Sequence, residues 1–218
     1  MIVSPSLLSA DKGCLDLETM KMQKAGAPYI HIDIMDGRFV PATTWDSSVV
    51  AFLKERTHDI VLDTHLMIEE PEKHVDEYLD AGADILTVHF EAFSDKKTMV
   101  DTLSHIRSRG VKSGLSIKPK TDPSVIKDIL PYCDLILVMT VEPGKGGQSF
   151  IEEKLNTIAS VKRMILEGGY STLIEVDGGI NGETGRCCRD FGADILVAGS
   201  YLFGHDDYKE RLEGLLRL

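Results

Sequence analysis

The feature that most constrains the fold of this chain is a repeated alternation between short strand-like apolar runs and longer segments with helix-like apolar spacing. Short apolar, β-branched runs predict strands at Ile2–Ser6, Tyr29–Ile34, Ile60–Leu66, Ile85–His89, Lys112–Ile117, Leu135–Met139, Thr172–Val176 and Ile195–Ala198. Between them, apolar residues three and four apart predict helices at Leu15–Lys24, Val49–Arg56, Glu72–Leu79, Thr98–Arg107, Val125–Leu130, Lys154–Leu166 and Tyr208–Leu216. The repeat of about 27 residues is typical of a strand, a loop and a crossover helix.

Eight such units predict an α/β fold, a (β/α)8 TIM barrel, with a doubly wound open sheet as the alternative. No Ser/Gly-rich linker, charge block or low-complexity stretch divides the chain, so we expect a single domain over residues 1–218. In a barrel, the active site would lie on the loops that follow the C-terminal ends of the strands.

Charge and composition exclude several classes of function. The net charge of −11 argues against a nucleic-acid partner, which would require a basic surface. No apolar run reaches the roughly 18 residues of a membrane span, and the N-terminus lacks the basic start of a signal peptide. The four cysteines show no C-x-x-C spacing and predict reduced thiols. We therefore expect a cytoplasmic protein with neither a membrane nor a nucleic-acid partner.

Ionisable residues occupy the inward face of three predicted strands. Side chains alternate along a strand, so His31, Asp33 and Met35 point one way while the intervening isoleucines point the other. The same alternation aligns Asp63, His65 and Met67 in the third strand and Glu175 with Asp177 in the seventh. Buried ionisable groups are costly unless they are paired or ligated. One explanation is a divalent metal ion held by His31, Asp33, His65 and Asp177; the other is a hydrogen-bonded cluster without metal.

Glycine-rich segments follow the last three predicted strands. Gly144, Gly146 and Gly147 flank Lys145 after the sixth strand, and the later pairs are Gly178-Gly179 and Gly199-Ser200. Glycines let backbone N–H groups converge on an anion, and the loops after the seventh and eighth strands often bind phosphate in barrels. The three segments together predict a phosphate site.

Several longer motifs resemble the ribulose-phosphate 3-epimerase family along essentially the full length of the chain. They are Ser4–Asp11, His31–Pro41, Asp63–Met67, Gly114–Pro119, Val138–Gly144 and Glu175–Ile180. The resemblance implies a TIM barrel of the ribulose-phosphate-binding type. It also implies interconversion of D-ribulose 5-phosphate and D-xylulose 5-phosphate at C3, by two-carboxylate acid/base catalysis through an enediolate.

The same resemblance implies a role for each matching residue. Asp33 and Asp177 would be the acid/base pair, and together with His31 and His65 they would ligate one divalent metal ion per subunit. Zn²⁺ is the favoured ion, with Fe²⁺, Mn²⁺ or Co²⁺ as alternatives. The residues expected to bind the ketose phosphate are Ser6, His65, Met35, Met67, Met139, Gly144, Lys145, Gly146, Gly147, Gly178, Gly179, Gly199 and Ser200. The resemblance also implies a homo-oligomer, either a dimer or a hexamer.

Two departures from the family pattern leave other functions open. Ala42–Asp46 replaces the family's usual Asn-x-Thr/Ser-aromatic-Gly run, and Lys145 stands where an aromatic residue is usual. The alternatives are an epimerase of a hexulose 6-phosphate such as D-allulose 6-phosphate, a Schiff-base aldolase with Lys118 as its nucleophile, and a non-catalytic phosphosugar-binding protein. Decarboxylases with this barrel carry an Asp-x-Lys-x-x-Asp motif, which Asp33–Asp36 lacks.

Overall fold

A computed structural model describes all residues from Met1 to Leu218. Eight parallel strands form one sheet in the order β1-β8-β7-β6-β5-β4-β3-β2. The strands are β1 Ile2–Pro5, β2 Tyr29–Met35, β3 Val61–Met67, β4 Ile85–His89, β5 Lys112–Ile117, β6 Leu135–Met139, β7 Leu173–Asp177 and β8 Ile195–Ala198. This is the predicted (β/α)8 barrel, and each predicted strand is present within one residue of its expected bounds.

The junction between β1 and β2 closes the barrel differently from the other seven. Every other neighbouring pair forms a continuous parallel ladder. At this seam the only bridge joins Ser6, just after β1, to His31 in β2. The barrel is therefore closed, but least securely hydrogen-bonded at this point.

Seven α-helices surround the strands. They are α1 Leu15–Lys24, α2 Ser47–Arg56, α3 Val75–Ala81, α4 Lys96–Ser108, α5 Lys154–Gly168, α6 Gly182–Phe191 and α7 Tyr208–Leu216. Gly82 and Gly192 end α3 and α6 in the left-handed conformation, as their position before the next strand suggests. None of these helices combines the length and the apolar character that crossing a membrane requires.

Two helical segments differ from the sequence prediction. The predicted helix at Val125–Leu130 is wrong: two short 3₁₀ turns, Pro123–Ile126 and Leu130–Tyr132, connect β5 to β6 instead. Pro131 has no backbone N–H and clashes with a preceding helical turn, which prevents a continuous α-helix there. Conversely, the periodicity did not predict α6, because few of its residues are apolar. Its start is encoded instead by a capping box, in which Asn181 and Thr184 each accept a backbone hydrogen bond from the other.

The apolar core has two layers, which explains the alternation along the strands. A cluster of 46 buried residues fills the space between the strands and the helices. A smaller cluster of seven lies on the inward-facing positions: Tyr29, Ile85, Leu135, Leu137, Met139, Val141 and Ile195. On β2 and β3 the inward positions are paired in register, His31 with Asp63, Asp33 with His65 and Met35 with Met67. The polar residues of the barrel therefore form stacked layers that lead towards its C-terminal mouth.

Candidate active site and metal centre

A cavity of about 450 Å³ opens at the C-terminal ends of the strands. Its wall contains both predicted acid/base residues, Asp33 and Asp177. It also contains every predicted substrate-binding residue except His65: Ser6, Met35, Met67, Met139, Gly144, Lys145, Gly146, Gly147, Gly178, Gly179, Gly199 and Ser200. His31 and His65 are fully buried behind this wall. The structure thus brings the predicted site residues to one place.

Four side chains at the base of the cavity form what we call the mouth cluster: His31, Asp33, His65 and Asp177. One potential ligand atom from each lies within 4.8 Å of the corresponding atoms of the others. The β2–β3 register pairs Asp33 with His65, and the His31 and His65 ring centroids are 5.5 Å apart. Asp177 comes from β7, beyond β1 and β8. Two imidazoles and two carboxylates are a donor set that suits Zn²⁺ and similar divalent ions.

The hydrogen bonds around His31 indicate that a cation belongs in this cluster. His31 Nδ1 lies 2.7 Å from Asp63 Oδ2, and His31 Nε2 lies 3.3 Å from Asp33 Oδ1. His31 Nε2 is buried and has no hydrogen-bond partner. A nitrogen lone pair facing a carboxylate oxygen is repulsive unless a proton or a metal ion lies between them. The residues present therefore fit a divalent metal ion.

The two carboxyl groups of the mouth cluster have opposite electrostatic environments. Burial alone would raise the pKa of Asp33, but the charge of His31 and the close ring nitrogens of His31 and His65 lower it. Burial, followed by the negative charge of Asp33, raises the pKa of Asp177 to about 7. The side-chain hydroxyl of Ser6 donates to Asp33 Oδ2 at 2.7 Å. Such divergence between two neighbouring carboxyls is typical of acid/base sites.

A second group lies one layer deeper in the barrel, and we call it the inner cluster: Asp63 and Glu175, which share His31 with the mouth cluster. All three are fully buried, and neither Asp63 nor Glu175 lines the cavity. Asp63 Oδ2 accepts from the side-chain hydroxyl of Ser4 at 3.0 Å, while Asp63 Oδ1 and both Glu175 oxygens find no donor. Burial, and then the charge of Asp63, raises the pKa of Glu175 well above its usual range. The raised pKa favours the protonated form of Glu175.

A line of hydrogen bonds extends from His65 to the β4 and β5 loops. His65 Nε2 and His89 Nε2 are 2.9 Å apart, and His89 Nδ1 is 3.2 Å from Glu91 Oε2. His89 is thus in direct contact with His65, a predicted metal ligand.

The glycine segments line the same cavity as Asp33 and Asp177. Gly178 and Gly179 have φ values of +125° and +66°, which side-chain-bearing residues rarely adopt. A Cβ at Gly179 would lie 2.6 Å from the backbone N of Phe150, so the β6–α5 loop packs directly against this turn. The close approach brings the backbones of two glycine-containing loops to one part of the cavity, and backbone N–H groups of such loops can bind an anion.

Two basic side chains also reach this end of the cavity. Lys145 is exposed in the β6–α5 loop and forms no ion pair. The side-chain amide of Gln148 donates to the Lys145 carbonyl at 2.7 Å and to the Glu142 carbonyl at 2.6 Å, which holds the loop in a tight turn. Arg211 of α7 lines the cavity as well, with its Nε 2.8 Å from Asp207 Oδ1.

The Ala42–Asp46 departure has a structural role near the mouth cluster. The Thr44 hydroxyl accepts from the Met35 N–H at 2.9 Å and donates to the Asp33 carbonyl at 2.6 Å. Asp46 caps α2 by accepting from the Ser48 N–H at 3.0 Å. These contacts hold the end of β2, where Asp33 is located.

The geometry gives no support to Lys118 as a Schiff-base nucleophile. Its ammonium lies 3.7 Å from the centre of the Phe39 ring, in a cation–π contact, and Lys118 does not line the cavity. A nucleophile has to reach the substrate, so this placement argues against the aldolase hypothesis.

Comparison with known proteins decides the family. Residues 2–203 match the model of the "Ribulose-phosphate 3 epimerase family". The chain belongs to the ribulose-phosphate 3-epimerase family. It is 46% identical over 211 residues to the ribulose-phosphate 3-epimerase of Bacillus subtilis, covering 96% of this chain and 95% of the relative. It is 44% identical over 215 residues to the chloroplastic ribulose-5-phosphate-3-epimerase of Arabidopsis thaliana, covering 99% of this chain and 76% of the relative.

Solved structures of other enzymes share the fold of this epimerase-family chain. A 3-keto-L-gulonate-6-phosphate decarboxylase from Vibrio cholerae superposes with a TM-score of 0.74 at 13% identity, covering 100% of this chain and 95% of that one. A 3-hexulose-6-phosphate synthase superposes with a TM-score of 0.70 at 18% identity, covering 99% and 98%. At such identities the likeness shows the barrel alone.

Sequence reasoning missed some residues of this family member's site. Leu8, Ser9, Asn181, Tyr201 and Arg211 line the cavity without having been predicted. Leu8 and Ser9 directly follow Ser6, so the loop after β1 could have identified them. Arg211 lies in α7, and no local pattern indicates that a helix residue reaches the cavity.

Proposed function

We propose that this protein interconverts D-ribulose 5-phosphate and D-xylulose 5-phosphate by inverting the configuration at C3. The observation that carries the proposal is the mouth cluster, in which Asp33 and Asp177 meet beside two imidazoles at the base of a cavity. Inversion requires removing a proton next to the C2 carbonyl and returning one to the opposite face. Two separately anchored carboxyl groups can divide these tasks between them.

In the proposed reaction Asp33 and Asp177 exchange roles according to direction. One carboxylate takes the C3 proton while the other, protonated, delivers a proton to the opposite face of the planar intermediate. Ser6 would hold the Asp33 carboxylate through its 2.7 Å hydrogen bond, so that one oxygen keeps its position relative to the substrate. We infer that Ser6 and His65 also contact the sugar.

We propose that His31, Asp33, His65 and Asp177 hold one divalent metal ion per subunit. When bound, the ion would supply Lewis-acid stabilisation of the negative charge that develops on the substrate oxygens at C2 and C3. The side chains of Met35, Met67 and Met139 would form an apolar wall around the reacting carbon. Thioethers exclude water without competing for the transferred proton.

The phosphate group would bind at the glycine side of the cavity. Gly144, Gly146, Gly147, Gly178, Gly179, Gly199 and Ser200 would offer backbone N–H groups, with Lys145 as an additional cation from the loop. Because these groups are not the acid/base side chains, phosphate binding would survive conservative changes to Asp33 and Asp177.

An NMR assay in D₂O tests the proposal directly. D-ribulose 5-phosphate and D-allulose 6-phosphate would each be incubated with the protein, with and without a chelator. We expect deuterium at C3 of the pentulose, with no exchange after chelation. Deuterium at C3 of the hexulose alone would contradict the proposed substrate, and exchange that persists in the chelator would contradict the metal requirement.

Three finer features belong to the same proposal. We infer Zn²⁺ as the ion, which elemental analysis of protein purified without added metal would check. We infer a homo-oligomer, either a dimer or a hexamer, which light scattering would distinguish. We infer a cytoplasmic location, which fractionation of the source cells would examine.

A further inference from the structure

We propose that His89 and Glu91 are positioning residues that fix the tautomer of His65, so that His65 presents its Nδ1 lone pair to the metal ion. The inference rests on the proposed metal site. It concerns two residues that do not touch the ion or the cavity, since neither lines its wall.

The line of hydrogen bonds has a defined direction because it starts at a backbone amide. The Lys118 N–H donates to Glu91 Oε1 at 2.8 Å, and the Thr121 hydroxyl donates to the same oxygen. A peptide N–H can only donate, so Glu91 is held there as an acceptor. Its other oxygen, Oε2, faces His89 Nδ1 at 3.2 Å. A carboxylate in this position requires a proton on His89 Nδ1.

That proton determines the state of the next ring. In a neutral imidazole, protonation at Nδ1 leaves Nε2 as an acceptor. His89 Nε2 lies 2.9 Å from His65 Nε2, so the proton between them belongs to His65. With its proton on Nε2, His65 has a lone pair on Nδ1. This atom lies 3.3 Å from Asp33 Oδ1, within the mouth cluster.

The opposite order of protons leaves an unfavourable contact. If His65 donated from Nδ1 to Asp33, His89 would have to donate from Nε2, and its Nδ1 lone pair would face the Glu91 carboxylate. His89 is fully buried, and no water would relieve that repulsion at low cost. With both rings neutral and a metal ion beside His65 Nδ1, every group in the line is satisfied in only one order.

Packing holds the line in place. The Phe39 ring packs against His89 at a tilt of 43° with centroids 4.7 Å apart, and the Lys118 ammonium lies over the Phe39 ring. The result is a histidine ligand supported by a carboxylate through a second imidazole. Metal-ligating histidines generally depend on such outer partners for their orientation and basicity.

The first test reads the tautomers in the wild-type protein loaded with Zn²⁺. Long-range ¹H–¹⁵N correlation spectra of the imidazole rings distinguish protonated from bare nitrogens. We expect the proton on Nε2 in His65 and on Nδ1 in His89. A proton on Nε2 of His89 would overturn the inference, and this result would not depend on any variant folding.

The second test compares two replacements of His89. His89→Phe keeps the ring volume but removes the acceptor, whereas the side-chain amide of His89→Gln offers an oxygen near the former Nε2. Affinity for Zn²⁺ would be measured by competition with a chromophoric chelator. We expect His89→Phe to weaken binding about 10–100-fold, and His89→Gln to recover most of that loss. His105→Gln, which removes an exposed histidine of α4, is the matched control and should bind as the wild type does.

Glu91→Gln provides a milder variant should His89→Phe fail to fold. One amide oxygen cannot serve both the Lys118 amide and His89, so Zn²⁺ binding should weaken roughly 10-fold, at the low end of such effects. The visible absorption bands of the Co²⁺-loaded variants should also shift, because the ligand orientation changes. A merely structural role would lower thermal stability and leave Co²⁺ spectra and Zn²⁺ affinity unchanged.

These outcomes separate two failures. If the wild type does not bind Zn²⁺ or Co²⁺, the proposed metal site is wrong, and the inference falls with it. If the wild type binds Zn²⁺ and every variant of His89 and Glu91 binds equally well, the inference alone is wrong.

Discussion

The mouth cluster and the inner cluster are built from the same residue types and share His31, yet they have different environments. Asp33 and Asp177 of the mouth cluster line the cavity, whereas Asp63 and Glu175 of the inner cluster are closed off by the barrel. In the inner cluster, Asp63 Oδ2 contacts the Ser4 hydroxyl and His31 Nδ1, while Asp63 Oδ1 and both Glu175 oxygens have no hydrogen-bond partner. In the mouth cluster, His31 Nε2 has no hydrogen-bond partner and lies 3.3 Å from Asp33 Oδ1. Both clusters contain orphaned polar atoms, so access to the cavity, rather than residue type, indicates where the ion and the substrate bind.

The largest expected effect comes from Asp177→Asn in the mouth cluster. Loss of one acid/base carboxylate should lower the rate of C3 deuterium exchange by about 10³–10⁴-fold. Competition by inorganic phosphate should be retained, because the glycine segments are untouched. Asp101→Asn on the exposed face of α4 is the control. Normal exchange in the Asp177 variant would contradict the role assigned to this cluster.

Removal of the metal ion should have the next largest effect. Dialysis against EDTA should reduce activity at least about 100-fold, since Lewis-acid stabilisation contributes several kcal/mol. Added Zn²⁺ should restore it. The far-ultraviolet circular dichroism should stay unchanged, because the inner cluster and the apolar core need no ion. Full activity after chelation would contradict the proposal that the mouth cluster, unlike the inner cluster, holds a metal ion required for the reaction.

Asp63→Asn tests the support that the inner cluster gives to His31. Asparagine still accepts from His31 Nδ1 but lacks the charge, so Zn²⁺ affinity should fall roughly 10-fold. The free energy of unfolding, measured with urea, should fall by about 1–3 kcal/mol because buried hydrogen bonds are weakened. Unchanged Zn²⁺ affinity would show that His31 needs no partner at Nδ1.

The smallest effect is expected from Glu175→Gln. A glutamine N–H can donate to Asp63 in place of the protonated carboxyl, so the free energy of unfolding should change by less than about 1 kcal/mol. Urea unfolding of Glu175→Gln, Asp63→Asn and the wild type under the same conditions would measure the change in the free energy of unfolding for each variant. A loss near that of a broken buried ion pair, about 3–5 kcal/mol, would mean that Glu175 is charged in the native protein.

The fold could be predicted from the sequence where local pattern and tertiary structure agree. Alternation along Tyr29–Met35 and Val61–Met67 identified inward-facing side chains because barrel strands separate their two faces strictly. The connection after β5 could not be predicted by apolar spacing, since Pro131 interrupts it. Helix α6 escaped the same criterion because its start depends on the capping residues Asn181 and Thr184.

Alternation along β2 and β3 predicted that His31, Asp33 and His65 face the barrel interior, and the strand register pairs Asp33 with His65. The contacts that support these side chains could not be predicted. The contact between His65 and His89 depends on side-chain rotamers on neighbouring strands, and the contact of Glu91 with Lys118 depends on two loops. Sequence spacing carries no information on either.

The seam between β1 and β2 has a consequence for motion. Ser6 and His31 form its only bridge, and Ser6 also binds Asp33. Thermal opening of the barrel at its least hydrogen-bonded junction would therefore disturb the reacting groups before the rest of the core loosens. Amide hydrogen exchange should be fastest, among the strands, along this edge. A bound ion that joins β2, β3 and β7 would link strands on both sides of this seam. In protein without the ion, amide hydrogen exchange should therefore be faster at the β1–β2 seam than along the other strands.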